Sequence, residues 1–526
     1  MGLVDWAVDR LLRLPPATTR RYQIERGLRI PLPDGVVLLA DRYRPARTRP
    51  RPVVLVRTPY GRDFLTGRVF GAALARRGFQ TVVQSVRGTS GSGGRFRGQH
   101  QEREDGLASV AWLRAQPWCD GRIAMVGGSY PGYAQWAVAP YVEPPLAAMC
   151  PGVTTSGVAD RHGDVFALHG TLAWAVRLDR QASLRFGGLL PDRRHAERMA
   201  RAMTHLPMRT ADVVAVGHEL PLWRELLTHA GDPDHWAPAD HSADIGRVRA
   251  PVSMVTGWYD HYLPWQLRDF RALTDAGVSA RITIGPWGHG DLATTVAMTT
   301  DQLSWLATHL LGAPAESRAP ARVFLQHADR WLDLPTWPPE SVATPLYLAT
   351  GGELTWAAPP TGAPEELDYD PADPTPDTPP RQDARAVEAR ADVLVYTGAP
   401  LTRDLDVLGD VRAELPVRLV TGPVDLVVRL CDVDPAGVSR PVCDGVARVR
   451  SDDATVSLGP TGYRFRTGHR LRVHVARGAF PRYARDFGTV EPIADAVELV
   501  PSRCVLPHEQ RRPPRLVLPC FESTSP

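Results

Sequence analysis

The chain of 526 residues contains no lysine and no asparagine, and it has only six cysteines. All 61 basic residues are therefore arginines, which excludes a lysine Schiff base, a P-loop lysine and any N-glycosylation site. The cysteines form no C-x-x-C pair and have no histidine at metal-ligand spacing. We therefore expect no metal, no cofactor and free thiols, with a disulfide between two of the last four cysteines as the alternative.

Long apolar runs are also missing, since nowhere do 18 apolar residues follow one another, and no membrane-spanning helix is predicted. Residues 1–16 suit a short amphipathic helix without the apolar region of a signal peptide, which together with free thiols favours a cytoplasmic protein. A net charge of +3, from 61 basic and 58 acidic residues, argues against a nucleic-acid-binding surface. The length predicts about three globular units.

Short β-branched runs alternate with helical stretches from Val53 to about Pro144, which is typical of βαβ units and a parallel sheet. The same alternation resumes at Pro251 and continues to about Pro338. The sequence therefore predicts one α/β core, built from residues 1–144 and 251–338 and interrupted by an insertion.

The insertion and the C-terminal third have different textures. Residues 145–250 are rich in Ala, Leu, Arg and His with few β-branched runs, which predicts an inserted helical cap. After a Pro- and Asp-rich connector from Ala357 to about Ala391, short β-rich segments alternate with turn signals. This pattern predicts an antiparallel sandwich or jelly roll over residues 339–526.

The segment RIAMVGGSYPG runs from a buried type of strand through a small-residue turn into a helix, with Ser129 in the turn. A nucleophile elbow needs small neighbours, because its strand-to-helix turn is tight and must leave the serine Oγ free. The common G-x-S-x-G pattern does not fit, since Pro131 occupies the second glycine position and Gly132 follows it. A plain glycine-rich turn is the alternative explanation of this segment taken alone.

Two later strands each end in a residue type that a serine nucleophile requires. VSMVTGWYD places Asp260 just after one strand, and ARITIGPWGH places His289 just after the next. A carboxylate orients the imidazole, and the imidazole accepts the serine proton. Serine, then acid, then histidine is the chain order of α/β-hydrolases, so the conjunction predicts a catalytic triad.

Six segments of the sequence carry a resemblance that spans nearly the whole chain, namely GGSYPG, RTPYG, QPWCDGRIAM, GWYD, PWGH and PRLVLP. Together they make the chain, from about Ile24 to Pro519, resemble the CocE/NonD hydrolases, the family of cocaine esterase. That family also includes X-prolyl dipeptidyl aminopeptidases, α-amino acid ester hydrolases and glutaryl cephalosporin acylases. The resemblance implies an α/β-hydrolase core with an inserted helical cap and a C-terminal all-β jelly-roll domain.

The resemblance also implies roles for single residues. Ser129 would be the nucleophile, Asp260 the orienting acid and His289 the general base. Tyr60 matches the family tyrosine whose phenol donates to the oxyanion, and the backbone N–H of Tyr130 would be the second donor. Without the family, Tyr60 is better explained as a packed loop aromatic.

Aromatic residues near the strand ends and in the cap are predicted to line an acyl pocket, because an aromatic body with a polar tip suits a mixed apolar substrate. Packing between domains is the alternative for each of them. The residues are Trp174, Trp258, Tyr259, Trp265 and Trp287.

Two departures from the family pattern concern loops away from the triad. Where relatives read Q-D-x-R-G, this chain has Ser85, so we expect an acidic partner of Arg87 to be missing. Asp486 and Phe487 stand where relatives tend to carry asparagines. Both changes limit how far loop geometry and pocket shape can be transferred from the family.

The sequence thus predicts a serine hydrolase that cleaves a small-molecule carboxylic ester or amide through an acyl-enzyme. An X-Pro dipeptidyl-peptidase is less favoured, because the larger dipeptidases of the family carry an N-terminal region that 526 residues cannot hold. Two further hypotheses are a non-catalytic scaffold that retains the fold and an esterase whose jelly roll binds carbohydrate. We expect no nucleic-acid or membrane partner, and a homodimer stays open.

Overall fold

The computed structural model describes residues 3–19, 21–46, 50–62, 66–158, 161–183 and 193–522. The N-terminal helix spans Leu3–Leu11 and is anchored to the core by Arg76, whose guanidinium binds Asp9 at 2.6 and 2.7 Å. The first two residues of the predicted amphipathic helix lie outside the described residues. The architecture is an α/β-hydrolase core with an inserted helical cap and a C-terminal jelly roll.

The core is built on one ten-stranded sheet. Its inner strands run parallel, while the N-terminal hairpin and the last strand are antiparallel. The spatial order is Tyr22–Pro31, Val37–Pro45, Gln80–Ser85, Arg51–Thr58, Cys119–Gly128, Ala148–Gly152, Val252–Tyr259, Ala280–Gly288, Ala321–Leu325 and Arg330–Leu334.

Helices cover both faces of this sheet, which explains why its parallel strands read as continuous apolar runs. Along the strand Arg51–Thr58, Val53 and Leu55 belong to one apolar cluster, and Val54 and Val56 to the cluster on the other face. The flanking helical segments are Gly67–Ala72, Ala73–Ala75, Glu102–Arg114, Tyr130–Trp136, Leu263–Asp275 and Leu292–Leu311.

The cap lies between the core strands Ala148–Gly152 and Val252–Tyr259. Its buried cluster includes Leu172 and Trp223, and Phe487 of the C-terminal domain packs into the same cluster. The helices and turns are Leu168–Ser183, Arg193–Thr204, Met208–Thr210, Ala211–Val216, Pro221–Thr228, Pro233–Trp236, Ala237–Ala239 and Ser242–Arg247, preceded by the short hairpin Arg161–His162 and Val165–Phe166.

The C-terminal domain is a β-sandwich whose nine-stranded sheet nearly closes, because its two edge strands also contact each other. The order in this sheet is Ser439–Val449, Val424–Val433, Arg470–Ala476, Val393–Thr397, Glu353–Thr355, Val342–Ala349, Arg515–Cys520, Leu405–Pro416 and Asp453–Phe465. A small sheet adds Glu365–Tyr369, Ser502–Leu506 and Arg418–Leu419, and a short helix spans Arg385–Glu388.

Three details differ from the sequence prediction. The strand Ala148–Gly152 falls within the predicted cap, but it pairs in parallel inside the central sheet, so the cap begins later than residue 145. The N-terminal hairpin Tyr22–Pro31 and Val37–Pro45 extends the sheet, and the alternation of Tyr22, Ile24, Leu28 and Ile30 with other residues is a strand signal that the prediction did not use. The connector from Ala357 contains the strand Glu365–Tyr369, which pairs with a distant segment. All six cysteines are free.

Candidate active site

Ser129 stands at the turn between the strand Cys119–Gly128 and the helix Tyr130–Trp136. Its φ of 60° lies in the left-handed region, where a residue other than glycine costs about 1–3 kcal/mol. Such strain persists at a turn that presents a side chain clear of the backbone, as a nucleophile elbow does.

The turn closes because small residues flank Ser129. A Cβ atom on Gly127 would lie 2.4 Å from Pro131 Cβ, and one on Gly132 would lie 2.6 Å from Thr154 Cγ2. Gly132 therefore provides the close approach to the neighbouring loop. This accounts for the shift of the second glycine by one position relative to the common pattern.

His289 bridges Ser129 and Asp260. Its Nε2 lies 3.1 Å from Ser129 Oγ, and its Nδ1 lies 2.9 Å from Asp260 Oδ2. The Asp260 side chain is 0% exposed, and its Oδ1 accepts the N–H of Tyr262 at 2.8 Å. Burial alone would raise the pKa of Asp260, but the charge and hydrogen bond of His289 hold that pKa below its ordinary value. The carboxylate is therefore ionised and faces the imidazole.

Two other carboxylates near this histidine in sequence are engaged elsewhere. Asp269 is buried and accepts the N–H and the hydroxyl of Ser156 at 2.9 and 2.7 Å. Asp291 accepts the N–H of Gly288 at 2.8 Å, within its own loop.

Tyr60 follows the strand Arg51–Thr58 and reaches the same space as Ser129. Its hydroxyl accepts a hydrogen bond from Trp174 Nε1 at 3.2 Å, and the guanidinium of Arg177 lies 5.0 Å from its ring centre. Burial raises the pKa of Tyr60 above its ordinary value. The positive charge of Arg177 and the hydrogen bond with Ser129 act in the opposite direction but do not cancel this effect. The phenol is thus a neutral hydrogen-bond donor at ordinary pH, placed beside Ser129.

Tyr130 is the first residue of the helix that follows the elbow, so its backbone N–H belongs to the helix end that has no intrahelical acceptor. The hydroxyl of its side chain lies 2.8 Å from Gly98 O and 3.0 Å from Glu102 Oε1, the two acceptors between which its proton is shared. Glu102 is in turn paired with the buried Arg57 at 2.6 Å. This network fixes the residue whose N–H faces the elbow.

A cavity of about 590 Å³ opens over Ser129 and His289. Its walls combine core loops, cap helices and the jelly roll, so all three parts of the chain shape it. From the core come Tyr60, Ser129, Tyr130, the residues 258–264 and His289, from the cap Trp174, Arg177 and Leu226, and from the C-terminal domain Asp377, the residues 442–444 and 458–460, Arg482 and Tyr483.

Trp174, Trp258 and Tyr259 line this cavity, although Trp258 is mostly buried, and their role in binding an acyl group stays a prediction. Trp265 instead packs edge-on against His162, with ring centres 4.7 Å apart.

Trp287 is not among the residues that line this cavity, and its role in substrate binding stays a prediction. Its Nε1 donates to Thr256 O at 2.9 Å, and its ring covers Gly285, where a Cβ would lie 2.2 Å from Trp287 Cζ2. The indole fills space between two strands. An aromatic residue next to the end of a strand can fill such a gap as readily as it can line a pocket.

The far end of the cavity carries charges that neutralise one another. Asp444 accepts hydrogen bonds from Arg482 at 2.6 and 3.0 Å and from Arg429 at 3.0 and 3.1 Å. Asp377 accepts from Arg429 at 3.0 Å. Burial alone would raise the pKa of Asp444, but the two guanidiniums hold it well below the ordinary value.

Arg177 and His261 belong to the site but were not predicted from the sequence. Arg177 extends from the cap helix over Tyr60, and no motif marks it. His261 packs against His289 with ring centres 4.4 Å apart and the rings tilted by 41°, and its position directly after Asp260 is a signal that could have identified it.

The expected loss of an acidic partner for Arg87 is wrong. Arg87 binds Asp105 through two hydrogen bonds of 2.6 and 2.9 Å and Asp34 through one of 2.6 Å. These carboxylates come from a helix and a hairpin distant in sequence. Ser85 instead accepts a hydrogen bond from Arg62 at 3.2 Å.

Asp486 and Phe487, the second departure from the family pattern, have structural roles. Asp486 is buried and paired with Arg477 at 3.1 Å and with Arg448 at 3.0 Å. Phe487 packs into the cap cluster. This segment therefore fastens the C-terminal domain to the cap.

Comparison with known proteins agrees with the α/β-hydrolase architecture. The family model for X-Pro dipeptidyl-peptidase of the S15 family matches residues 34–291, and the model for the C-terminal non-catalytic domain of X-Pro dipeptidyl-peptidases matches residues 314–493. Cocaine esterase from Rhodococcus sp. (strain MB1 Bresler) is 28% identical over 547 residues, covering 90% of this chain and 94% of that relative.

Two solved structures share the fold over nearly their whole length. An α-amino acid ester hydrolase superimposes with a TM-score of 0.79 at 23% identity, covering 97% of this chain and 98% of the other. An aminopeptidase from a marine sediment Thaumarchaeota archaeon gives 0.79 at 21% identity, covering 97% and 99%.

The fold and the two family models define a serine hydrolase of the α/β-hydrolase class. The chain is a hydrolase of the CocE/NonD family. In the part of the chain that the structure describes, no helix has the length and apolar character needed to cross a membrane.

Proposed function

We propose that the protein hydrolyses a carboxylic ester or amide through an acyl-enzyme formed on Ser129. The observation that carries this proposal is the relay in which the two ring nitrogens of His289 face different groups. Nε2 faces Ser129 Oγ at 3.1 Å, and Nδ1 faces the buried Asp260 at 2.9 Å. The strained turn at Ser129 presents its hydroxyl to the cavity.

In the proposed acylation step, His289 Nε2 takes the Ser129 proton while Oγ forms a bond to the substrate carbonyl carbon. Asp260 stabilises the imidazolium that results, and it keeps the ring in the tautomer that accepts on Nε2. The imidazolium then gives its proton to the leaving alcohol or amine as the acyl–heteroatom bond breaks. A water molecule repeats the sequence to release the acid and restore Ser129.

The negative charge that develops on the substrate oxygen needs donors fixed in advance. We assign these to the Tyr60 hydroxyl and the Tyr130 backbone N–H. Each donor of this kind contributes about 2.7–4 kcal/mol to lowering the barrier. Trp174 supports Tyr60 by donating to the phenol oxygen at 3.2 Å, which leaves the phenol proton directed elsewhere.

The cavity favours an ester or amide without a free α-amino group. An aminopeptidase must bind an ammonium, and an unpaired carboxylate is the usual group for it. Among the described lining residues, Asp260 is paired with His289, while Asp377 and Asp444 are paired with arginines. Cocaine esterase is by its name an esterase, and the similarity of this chain to it supports the same preference.

Covalent labelling tests the nucleophile. A fluorophosphonate should add one probe mass to the wild type and none to Ser129→Ala, measured by intact-protein mass spectrometry. Ser90→Ala is the matched control, since Ser90 is a loop serine that also has a positive φ of 46° but does not line the cavity. Labelling of Ser129→Ala would show that another residue is the nucleophile.

A substrate panel tests the preference. Activated esters of graded acyl size should be cleaved, and N-acetylated Xaa-Pro amides should react at least as well as the same amides with a free amine. A strong preference for the free amine would favour the dipeptidyl-peptidase alternative.

A further inference from the structure

Three potential metal ligands converge at the junction of the core and the cap, outside the active-site cavity. His100 lies in the loop before the core helix Glu102–Arg114, Glu225 lies on the cap helix Pro221–Thr228, and His235 lies in the next helical turn. His100 Nε2 is 3.1 Å from His235 Nε2. Glu225 Oε1 is 3.7 Å from His100 Nε2 and 3.5 Å from His235 Nε2.

These separations suit one tetrahedral metal ion. Bonds of about 2.0–2.1 Å to nitrogen and oxygen place two ligand atoms roughly 3.3 Å apart. The three measured distances, 3.1, 3.5 and 3.7 Å, bracket that value. Imidazole and carboxylate together are the ligand set of zinc sites with three protein ligands.

Both imidazoles are held in place by other rings. The indole of Trp236 stacks on His100 with ring centres 4.9 Å apart at an angle of 11°. His229 stacks on His235 with ring centres 3.7 Å apart at 4°, and its Nδ1 pairs with Asp232 at 3.2 Å. The two Nε2 atoms therefore face each other in a geometry that the surrounding packing enforces.

The open side of the cluster is a separate cavity of about 590 Å³ lined by Glu225, His235 and three arginines. Arg97 is the arginine nearest to a ligand, with its Nη2 3.9 Å from Glu225 Oε1. A positive wall of this kind does not supply a fourth ligand itself, but it suits a water molecule or a small anion on the metal. The remaining arginines are Arg95 and Arg224.

We propose that His100, Glu225 and His235 bind one divalent transition-metal ion of the zinc type, which ties the cap to the core. The three ligands come from segments that are far apart in the chain, so they form no metal-binding motif in the sequence. This is why the sequence analysis predicted no metal. Gln99 and Leu226, which adjoin two of the ligands, line the active-site cavity. The ion would therefore restrain the cavity wall without entering the proposed hydrolytic chemistry.

A second cluster, His327, Asp432 and His469, is less suited to a metal. Asp432 accepts the His469 Nδ1 hydrogen bond at 2.9 Å and the Tyr463 hydroxyl at 2.9 Å, so both of its oxygens are engaged. This cluster is instead an internal hydrogen-bond network, and it provides a control for the experiment.

The test uses full-length protein depleted of metal with EDTA and titrated with Co²⁺, whose visible absorption reports tetrahedral coordination. We expect about one Co²⁺ per chain, displaced by Zn²⁺. His235→Gln and Glu225→Gln should each weaken binding by at least about tenfold, whereas His469→Gln and the surface variant His218→Gln should not. Circular dichroism checks that each variant is folded.

Thermal unfolding gives a second readout that is independent of catalysis. Zn²⁺ should raise the Tm of the wild type and of His469→Gln but not that of His235→Gln. Absence of Co²⁺ binding in the wild type, retention of binding in both His235→Gln and Glu225→Gln, or loss of binding in His469→Gln would each overturn the proposal. Because the readouts are spectroscopic and thermal, its failure is distinguishable from failure of the proposed hydrolase function.

Discussion

Among the residues that the structure describes, two sets combine a hydroxyl or thiol with a histidine and a carboxylate, and they differ in which nitrogen of the imidazole meets which group. In the core, Asp260 binds Nδ1 of His289 while Ser129 faces Nε2. In the jelly roll, both partners of His474 approach the same nitrogen: Nε2 lies 2.8 Å from Glu388 Oε1 and 3.8 Å from Cys431 Sγ. Only the first arrangement lets a base accept a proton on one side while the acid holds the other.

Access separates the two sets as well. Ser129 and His289 line a cavity, whereas Cys431 is 0% exposed and lies within a central strand. Residue types at short distance therefore do not define a catalytic group. A catalytic group also needs its acid and its hydroxyl on opposite nitrogens of the imidazole, and a path by which substrate reaches it. The following substitutions test that conclusion.

The largest expected effect is from Asp260→Asn, which allows the wrong imidazole tautomer and should lower kcat by roughly 10⁴. Glu388→Gln makes the matching change in the jelly-roll set and should leave kcat nearly unchanged. Both variants are to be assayed on one activated ester, together with Asp269→Asn and Asp291→Asn. A large loss in Asp269→Asn or Asp291→Asn, with little loss in Asp260→Asn, would refute the assignment.

Tyr60→Phe should have the next largest effect. It removes one oxyanion donor but keeps the nucleophile, so kcat should fall by about 10²–10³ while slow fluorophosphonate labelling persists. Tyr463→Phe is the control, because that phenol donates to Asp432 outside the hydrolytic relay. Turnover of Tyr60→Phe at the wild-type level would mean that backbone N–H groups alone form the oxyanion hole.

The smallest effect is on stability and concerns His474. Burial alone would lower its pKa, but Cys431 and Glu388 raise it to about 9. A folded-state pKa above the unfolded value of about 6.5 adds stability that is complete below pH 6.5 and is lost as the pH rises through 9.

As the pH rises from 6.5 to 9, the unfolding free energy of the wild type should fall by about 1–3 kcal/mol more than that of His474→Gln. Chemical denaturation of both proteins at pH 6, 7.5 and 9 measures this difference. Parallel pH profiles for the two proteins would contradict the raised pKa.

The core and the elbow could be predicted because their signals are local. A parallel strand buried on both faces is largely apolar. The turn at Ser129 needs glycine at Gly127, where a Cβ would meet Pro131 within the same turn. The chain order of Ser129, Asp260 and His289 follows from the strand ends that carry them. Their distances from one another come from the structure alone.

Contacts between distant segments left no such signal. Arg87 is paired with Asp34 and Asp105, so the absence of an acidic residue at position 85 did not mean that Arg87 lacks a partner. Trp287 and Trp174 were both predicted to line the pocket, yet Trp287 fills the gap over Gly285 and Trp174 faces the cavity. The strand Tyr22–Pro31 is a different case, because the alternation of Tyr22, Ile24, Leu28 and Ile30 is a local signal that the prediction did not use.

The wall that the C-terminal domain contributes to the cavity has a practical consequence for altering the substrate range. Residues 442–444, 458–460, Arg482 and Tyr483 lie more than three hundred positions after Ser129 in the chain, yet they face the same space. Mutant libraries confined to the catalytic domain would leave this wall constant. Randomising it offers a way to change acyl-group selectivity while the elbow, the relay and the cap remain as they are.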